Sequence, residues 1–467
     1  MRLPASLLAL CLLAVVALPL QGQDYFGDIR PILTETCMRC HTEEGIAWSM
    51  EDPEEAFRRR RQIAGMILDG KMPPWLAEPG HQAYRDDISL SPETVEIVRR
   101  WREGGLQRGE PRPDPARTVR HASFEPDLTL GIMPGESYLP DQEASDEYRC
   151  FVIDWTPEAM TYVTGFRAVP GNRKVSHHVV VYAVTPEMKG RFEELTTEED
   201  GLGYRCFGGA LPDRLGKKAE REAYEARYPE GVRELNRGSH WLAHWAPGMN
   251  GNVFPDGTGL RMEPGSGLVV QMHYYTKDAR GESDADTHLD FQLASNVERP
   301  AVNYPQTRNA WLAGERNGSM VIPAGEMATY AVSVGLEDML PYLADVTGVE
   351  EDAIEALEIH SANLHMHAFG HSGVITLTDR NGRRETLLSI PRWDLSWQRD
   401  FTFLEPKVFL REDLPRASLA VECTYRNDTD ETVYGGYGSF DEMCFNFSYI
   451  AVRGAQTTTE DGSGGRD

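Results

Sequence analysis

The sequence predicts a multidomain chain in which a small all-α domain is followed by two tandem all-β sandwiches. Three observations carry this. Residues 24 to about 105 place apolar side chains at helical spacing. From about 122 the texture changes to short β-branched and aromatic runs parted by Gly and Pro turns. At 467 residues and roughly 150 per domain, the length suits about three domains.

In the α region, Tyr25, Ile29, Ile32 and Leu33 form an apolar face ahead of Cys37. Pro53 to Asp69 reads as a second helix. Ser91-Pro92 starts a third, with Ser as N-cap and Pro at the first helical position. Thr94, Ile97, Val98 and Trp101 line its face, and Gly104-Gly105 stops it. Residues 106–121 follow as a linker, with three prolines and many charges between Leu106 and Arg120. The β-rich runs are Val179 to Tyr182, Gly267 to Tyr275, Gly373 to Leu377, Ser418 to Tyr425 and Phe445 to Val452. Their spacing suggests antiparallel sandwiches. The region exceeds what one sandwich needs, so it divides near 298 to 302, into 122–298 and 299–453. Two charged inserts, Lys217 to Arg227 and Leu336 to Ile359, read as helical, and the Gly/Ser/Thr-rich tail 454–467 as disordered.

The compartment is read from the first apolar run. Arg2 gives a positive start, Leu7 to Leu20 is almost wholly apolar, and Gln21-Gly22-Gln23 follows. Residues 1–22 read as a secretory signal peptide, too short and wrongly flanked for a spanning helix. A lipid anchor on Cys11 would want a small residue before it, and Leu10 is not small. No later segment suggests stable membrane insertion, so the mature chain is expected to be exported and soluble. The 73 acids against 47 bases leave a formal charge of -26, with no basic block beyond Arg58 to Arg61. That argues against nucleic acid as a partner.

Export gives the seven cysteines meaning. Cys11 leaves with the signal, and Cys37 and Cys40 belong to a motif of their own. Cys150, Cys206, Cys423 and Cys444 allow three connectivities. Their separations favour Cys150–Cys206 and Cys423–Cys444, one pair per sandwich.

Cys37-Met38-Arg39-Cys40-His41 is a C-x-x-C-H motif. Two thiols at this spacing can take the two vinyl groups of one haem, and His41 then lies beneath the iron as axial ligand. For the sixth position, Met72 in Gly70-Lys71-Met72-Pro73-Pro74-Trp75 offers a thioether held by a stiff Pro-Pro, with Met38, Met50 and Met66 as rivals. Residues 24–105 resemble a small class I-type cytochrome c, which implies an electron carrier. A haem c behind this leader points to the bacterial periplasm.

Five further histidines fall in three β-rich settings: His177-His178, His273, and His365-Met366-His367. Residues two apart on a strand share a face, so His365 and His367 can grip one ion. Adjacent His177 and His178 point to opposite faces unless a strand end or a bulge intervenes. A hydrolytic zinc site is a rival, but neither H-x-H-x-D-H nor H-E-x-x-H occurs. Met443, in Asp441-Glu442-Met443-Cys444, lies beside a cysteine expected in a disulfide. A thioether added to two imidazoles favours Cu(I) over Zn(II).

These motifs together resemble the copper type II, ascorbate-dependent monooxygenases, the peptidylglycine α-hydroxylating and dopamine β-monooxygenase group. The resemblance covers about 125 to 453. It implies two jelly-roll-like sandwiches across a wet cleft. His177, His178 and His273 would hold an electron-storing copper. His365, His367 and Met443 would hold the catalytic copper, where O2 is used to hydroxylate a C–H bond of a small organic substrate. Cys150–Cys206 and Cys423–Cys444 fit disulfides of that family. Family members take electrons from ascorbate. Here the fused haem, fed by an external donor, is expected to supply the three-histidine copper. The amidating members carry Arg two residues before the H-x-H, where this chain has Asn363, so peptide amidation is not expected. Phe445, Asn446 and Phe447 suggest a more apolar pocket. The competing reading is a non-catalytic haem and copper electron-transfer protein.

Other histidines have plainer readings. His240 and His244 read as part of a packed loop, and His360 and His371 as groups that orient the nearby ligands. Asn317-Gly318-Ser319 matches a glycosylation sequon, discounted in a bacterial setting.

Overall fold

The computed structural model describes residues 22–43, 47–116, 125–143, 146–206, 209–212, 235, 238–245, 249, 251–276, 279–316, 319–436 and 441–454. The apolar run Leu7 to Leu20, the insert Lys217 to Arg227 and the tail after Gly454 lie outside them. The chain divides into two compact units, Met1–Pro73 with Ser89–Thr118, and Pro74–Ile88 with Val119–Asp467.

The first unit is helical. A π-helical turn Tyr25–Ile29 runs into the helix Arg30–Thr36 and a 3-10 turn Cys37–Arg39. The expected second helix is broken in two, Pro53–Arg58 and Arg60–Leu68. The break falls at Arg59, inside the four-arginine run, where the guanidinium lies 4.5 Å over the Trp48 ring. The third helix, Pro92–Glu103, starts as expected, with the Ser91 side chain accepting from Thr94 N. Tyr25, Ile29, Leu33, Val98 and Trp101 are fully buried in one core. The expected linker is packed over its first half. Gln107 O accepts from Tyr25 N and Trp101 Nε1, both at 2.9 Å, and Asp114 pairs with the buried Arg30.

Pro74–Ile88 departs from the expected α-domain span 24–105, because its apolar residues belong to the β unit. The Trp75 ring meets Phe401 edge-on at 5.0 Å, Tyr84 donates to Leu387 O at 2.7 Å, and Arg85 N donates to Thr402 O at 2.7 Å.

That unit is built on one long sheet. In order it runs Leu128–Gly131, His288–Ala294, Thr161–Val169, Thr258–Met262, Arg299–Gln306, Phe445–Gly454, Ile354–His365 and Phe401–Leu410, with Asn252–Val253 beside Thr161–Val169. A five-stranded sheet packs on one half: Tyr204–Arg205, Asp146–Ile153, Gly267–Tyr275, Ser176–Val184 and Ser239–Trp245. A four-stranded sheet packs on the other: Met327–Gly335, Ser418–Arg426, Gly370–Thr378 and Arg384–Ile390. Two β-sandwiches are therefore present, but they share a sheet. The strand Arg299–Gln306 pairs parallel with Thr258–Met262 and antiparallel with Phe445–Gly454, so the expected boundary at 298–302 falls inside a common strand.

Two local expectations are corrected. Leu336 to Ile359 is only partly helical: the helix Leu340–Thr347 stops at Gly348, which takes φ 71°, and Ile354–His365 is a strand. Its acidic Glu358 is fully buried because Arg299, Arg453 and His360 pair with it. His240 and His244 lie on the strand Ser239–Trp245, where Leu242 and Ala243 fill the core between them. Both expected disulfides form, with Cα–Cα distances of 5.7 Å for Cys150–Cys206 and 5.8 Å for Cys423–Cys444.

Candidate functional site

The first histidine cluster is made by a bulge. Ser176–Val184 pairs antiparallel with Gly267–Tyr275, and His178 stands opposite His273. The next pair is Tyr274 with Ser176, so His177 is the extra residue that the register shift absorbs. An additional residue in one strand re-aims its side chain. His177 and His178, which a regular strand would part, thereby reach the same side.

The nitrogens converge. Nδ1 of His273 lies 3.1 Å from Nδ1 of His177 and 3.1 Å from Nδ1 of His178. His273 Nε2 lies 2.9 Å from Asp146 Oδ1, and a carboxylate there accepts a proton that the nitrogen carries. That fixes the tautomer and leaves the His273 Nδ1 lone pair facing the other two rings. Tyr148 stacks on the His273 ring at 4.2 Å and 5°. Burial pushes His177 down to about 4 and His178 well below the usual imidazole range, so both stay neutral near pH 7. Three neutral, convergent ring nitrogens with one bare lone pair directed inward are a donor set that fits a cation such as copper or zinc.

The second cluster sits where a ladder ends. His365 is the last residue of Ile354–His365, paired with Phe445. His367 follows beyond the strand, and its ring stands 5.4 Å from that of His365. His365 Nε2 is 3.1 Å from the Met443 sulfur. The other nitrogen of each ring is committed: His365 Nδ1 meets Gln398 Oε1, and His367 Nδ1 is 2.9 Å from Asp441 O. Nε2 is thus the nitrogen each ring would offer to a metal. Burial, then repulsion from His367, pushes His365 down to about 3. Two imidazoles and a buried thioether form a softer set than the first cluster, and one that suits Cu(I). Phe445 and Phe447 stack at 5.2 Å beside His365, and Trp241 lies 4.5 Å from Phe447, giving an aromatic wall.

Other candidates divide. Cys37 and Cys40 are thiols outside both disulfides, on the turn that puts His41 N 3.1 Å from Cys37 O. His41 Nδ1 is 2.8 Å from Trp48 O, so Nε2 is the nitrogen the ring would offer to an iron. This arrangement fits a covalently held haem. Met38 and Met50 are buried in the hydrophobic core, whereas Met66, within the helix Arg60–Leu68, and Met72, beyond it, are half-buried. His360 bonds Glu358 at 3.1 Å rather than a cluster ligand, and His371 is exposed, so neither orients a ligand as expected. His244 Nε2 stands 3.4 Å from Asp400 Oδ2, and Asp400 Oδ1 accepts from Asn363 at 2.8 Å. Asp146, Tyr148 and Gln398 went unpredicted. Their signal is register across strands, which a single sequence does not display.

Residues 317–458 match the family model for the C-terminal domain of the copper type II ascorbate-dependent monooxygenases. A dopamine beta-hydroxylase from Canis lupus familiaris is 23% identical over 293 residues, 59% of this chain and 38% of that protein. The match thus spans well under half of that relative's length. Among solved structures, a putative secreted protein from Parabacteroides distasonis shares 7% identity over 70% of this chain and 88% of that chain, at TM-score 0.15. The major capsid protein P2 of bacteriophage PM2 shares 8% over 70% and 97%, at TM-score 0.21. Those scores carry no inference. The sequence matches support a monooxygenase at the level of the family. The C-terminal sandwich, with His365, His367 and Met443 in it, is similar to the C-terminal domain of the copper type II ascorbate-dependent monooxygenases.

Proposed function

We propose that this chain is an exported copper-dependent monooxygenase that hydroxylates a C–H bond of a small organic substrate. The balance is R–H + O2 + 2 electrons + 2 protons giving R–OH and water. The observation that carries the reading is the His365 Nε2 to Met443 sulfur approach of 3.1 Å, inside the segment that matches the family. Copper, when bound, supplies one-electron redox chemistry at both clusters and O2 activation at the thioether-bearing one.

The chain's own residues do the rest. His177, His178 and His273 would hold the electron-storing copper, with Asp146 keeping the proton on His273 Nε2. His365, His367 and Met443 would hold the catalytic copper, with Gln398 and Asp441 O fixing the two rings. The aromatic wall of Phe445, Phe447 and Trp241 offers an apolar body of substrate a place to pack. Asn363 takes the place of a carboxylate-binding Arg and is itself engaged by Asp400. That disfavours an acidic substrate. Cys37, Cys40 and His41 would hold haem c, with Met72 as the sixth ligand, and an external donor would reduce it. Tethering raises the effective concentration of this electron source for the copper.

The test is metal content on exported protein with haem attached, followed by a screen of C–H substrates for coupled O2 uptake. About two coppers per iron and substrate-dependent uptake are expected, given the softness of the donor sets. Zinc in place of copper would refute the reading. Copper and haem without any coupled uptake would leave an electron-transfer protein.

A further inference from the structure

The ladder between Ile354–His365 and Phe445–Gly454 stops at the His365–Phe445 pair. Both remaining ligands of the second cluster lie beyond that point, His367 past the end of one strand and Met443 ahead of the other. Two segments that no longer pair strand to strand must nevertheless present an imidazole and a thioether together.

One side chain spans them. Glu442 is fully buried. Its Oε2 accepts from His367 N at 2.9 Å and from Met443 N at 3.3 Å. Its Oε1 accepts from Phe369 N at 2.6 Å. The residue is itself pinned, since Glu442 N donates to Tyr434 O and Glu442 O accepts from Gly436 N, both at 2.9 Å. The neighbouring segment is anchored separately, by Tyr425 donating to Met443 O at 2.9 Å and by the Cys423–Cys444 disulfide.

We propose that Glu442 is the positioning residue of the second cluster, the two oxygens of its carboxyl group replacing the missing ladder so that His367 and Met443 are held in one geometry. The inference rests on the copper reading of that cluster. Two oxygens serve N–H groups of three residues on two segments. An amide of the same shape has only one oxygen, and its NH2 would meet N–H groups head-on. The carboxyl group touches backbone and acts through the ligands, so its loss moves ligand geometry first.

The experiment compares full-length wild type with Glu442→Gln and Glu442→Asp. In the metal-free chain, methyl-labelled methionine NMR follows Met443, its signal assigned with Met443→Leu. In the Cu(I)-loaded chain, X-ray absorption follows sulfur scattering. In Glu442→Gln we expect the Met443 methyl to shift and broaden while Met262 and Met272, in the other sandwich, stay put. The sulfur contribution is lost with nitrogen retained, and Cu(I) affinity at this cluster falls about tenfold or more. Glu442→Asp, which keeps both oxygens, retains more of the sulfur signal and serves if the Gln variant does not fold. An unmoved Met443 methyl with intact sulfur scattering in a folded variant would overturn the proposal. Wild type that takes up no Cu(I) here would instead defeat the copper reading, and the metal-free methyl signal would still decide the role of Glu442.

Discussion

Asp146 Oδ1 stands 2.9 Å from His273 Nε2, on the side of the ring opposite the three converging Nδ1 atoms. This hydrogen bond to His273 holds the Asp146 carboxyl below its usual range. A carboxylate behind a ligating imidazole fixes its tautomer and raises its basicity. Asp146→Asn keeps the shape and removes the charge. It is expected to weaken copper at the three-histidine cluster by about tenfold to a hundredfold, with the second cluster unchanged. Competition with a calibrated chelator checks this. Equal loss at both clusters would contradict it.

Acid should weaken the metal-free protein. Burial holds His177 down to about 4, His365 down to about 3 and His178 well below 6.5. In the unfolded chain these rings protonate near 6.5, so between 6.5 and about 4 the unfolded state binds more protons. Their contribution is complete above the unfolded value and drains away as pH falls. Glu442, pushed up to about 8 by burial, works the other way: its contribution is present below 4.5 and is lost as pH rises through 8. Three histidines outweigh one carboxyl in the acid range. Denaturant midpoints taken at about pH 7, 6 and 5 are expected to fall in that order. A flat series would show that the rings are not buried as neutral ligands.

A further prediction concerns the seam between the sandwiches. Fully buried Glu358 accepts from Arg299 Nη1 at 2.7 Å, pairs with Arg453, and meets His360 Nε2 at 3.1 Å. These groups come from three strands of the shared sheet. Removing one partner of a buried charge cluster costs about 3–5 kcal/mol. Glu358→Ala is expected to lose that much in equilibrium unfolding. Arg453→Ala should lose far less, because its side chain is 49% exposed and screened by water. Similar losses for both would place the energy in packing rather than in charge.

Much of the site was legible because ligand chemistry is local. The C-x-x-C-H motif, the His177-His178 pair, the H-x-H and Met443 are each visible in a short window. The strand runs were legible for the same reason, as in Gly267 to Tyr275, whose ends match the observed strand. What was hidden depends on the third dimension. The shared strand Arg299–Gln306 looks like a domain boundary until its two partners are known. Glu358 reads as part of a charged helical insert until its arginines arrive from other strands. His244 reads as a loop residue because the Ala-Pro-Gly after it is a strong turn signal in the sequence, yet the strand runs through His244 to Trp245.

The two redox assignments separate by substitution. If Met443 supplies the soft ligand that makes the second cluster competent for O2, Met443→Ala should abolish substrate-linked O2 uptake. The haem should still be reduced by its donor, since Cys37, Cys40 and His41 belong to another unit of the chain. Cys40→Ser should strike the haem and spare the copper. One thioether is lost and haem is released more readily under denaturing extraction, while the copper content is kept, because no thiol takes part in either donor set. Haem stain on a denaturing gel, copper content and O2 uptake, measured on both variants, give the crossed pattern. Uptake that survives Met443→Ala would sink the catalytic assignment. Copper lost from Cys40→Ser would mean that the helical unit is required to fold the donor clusters and is more than an electron source.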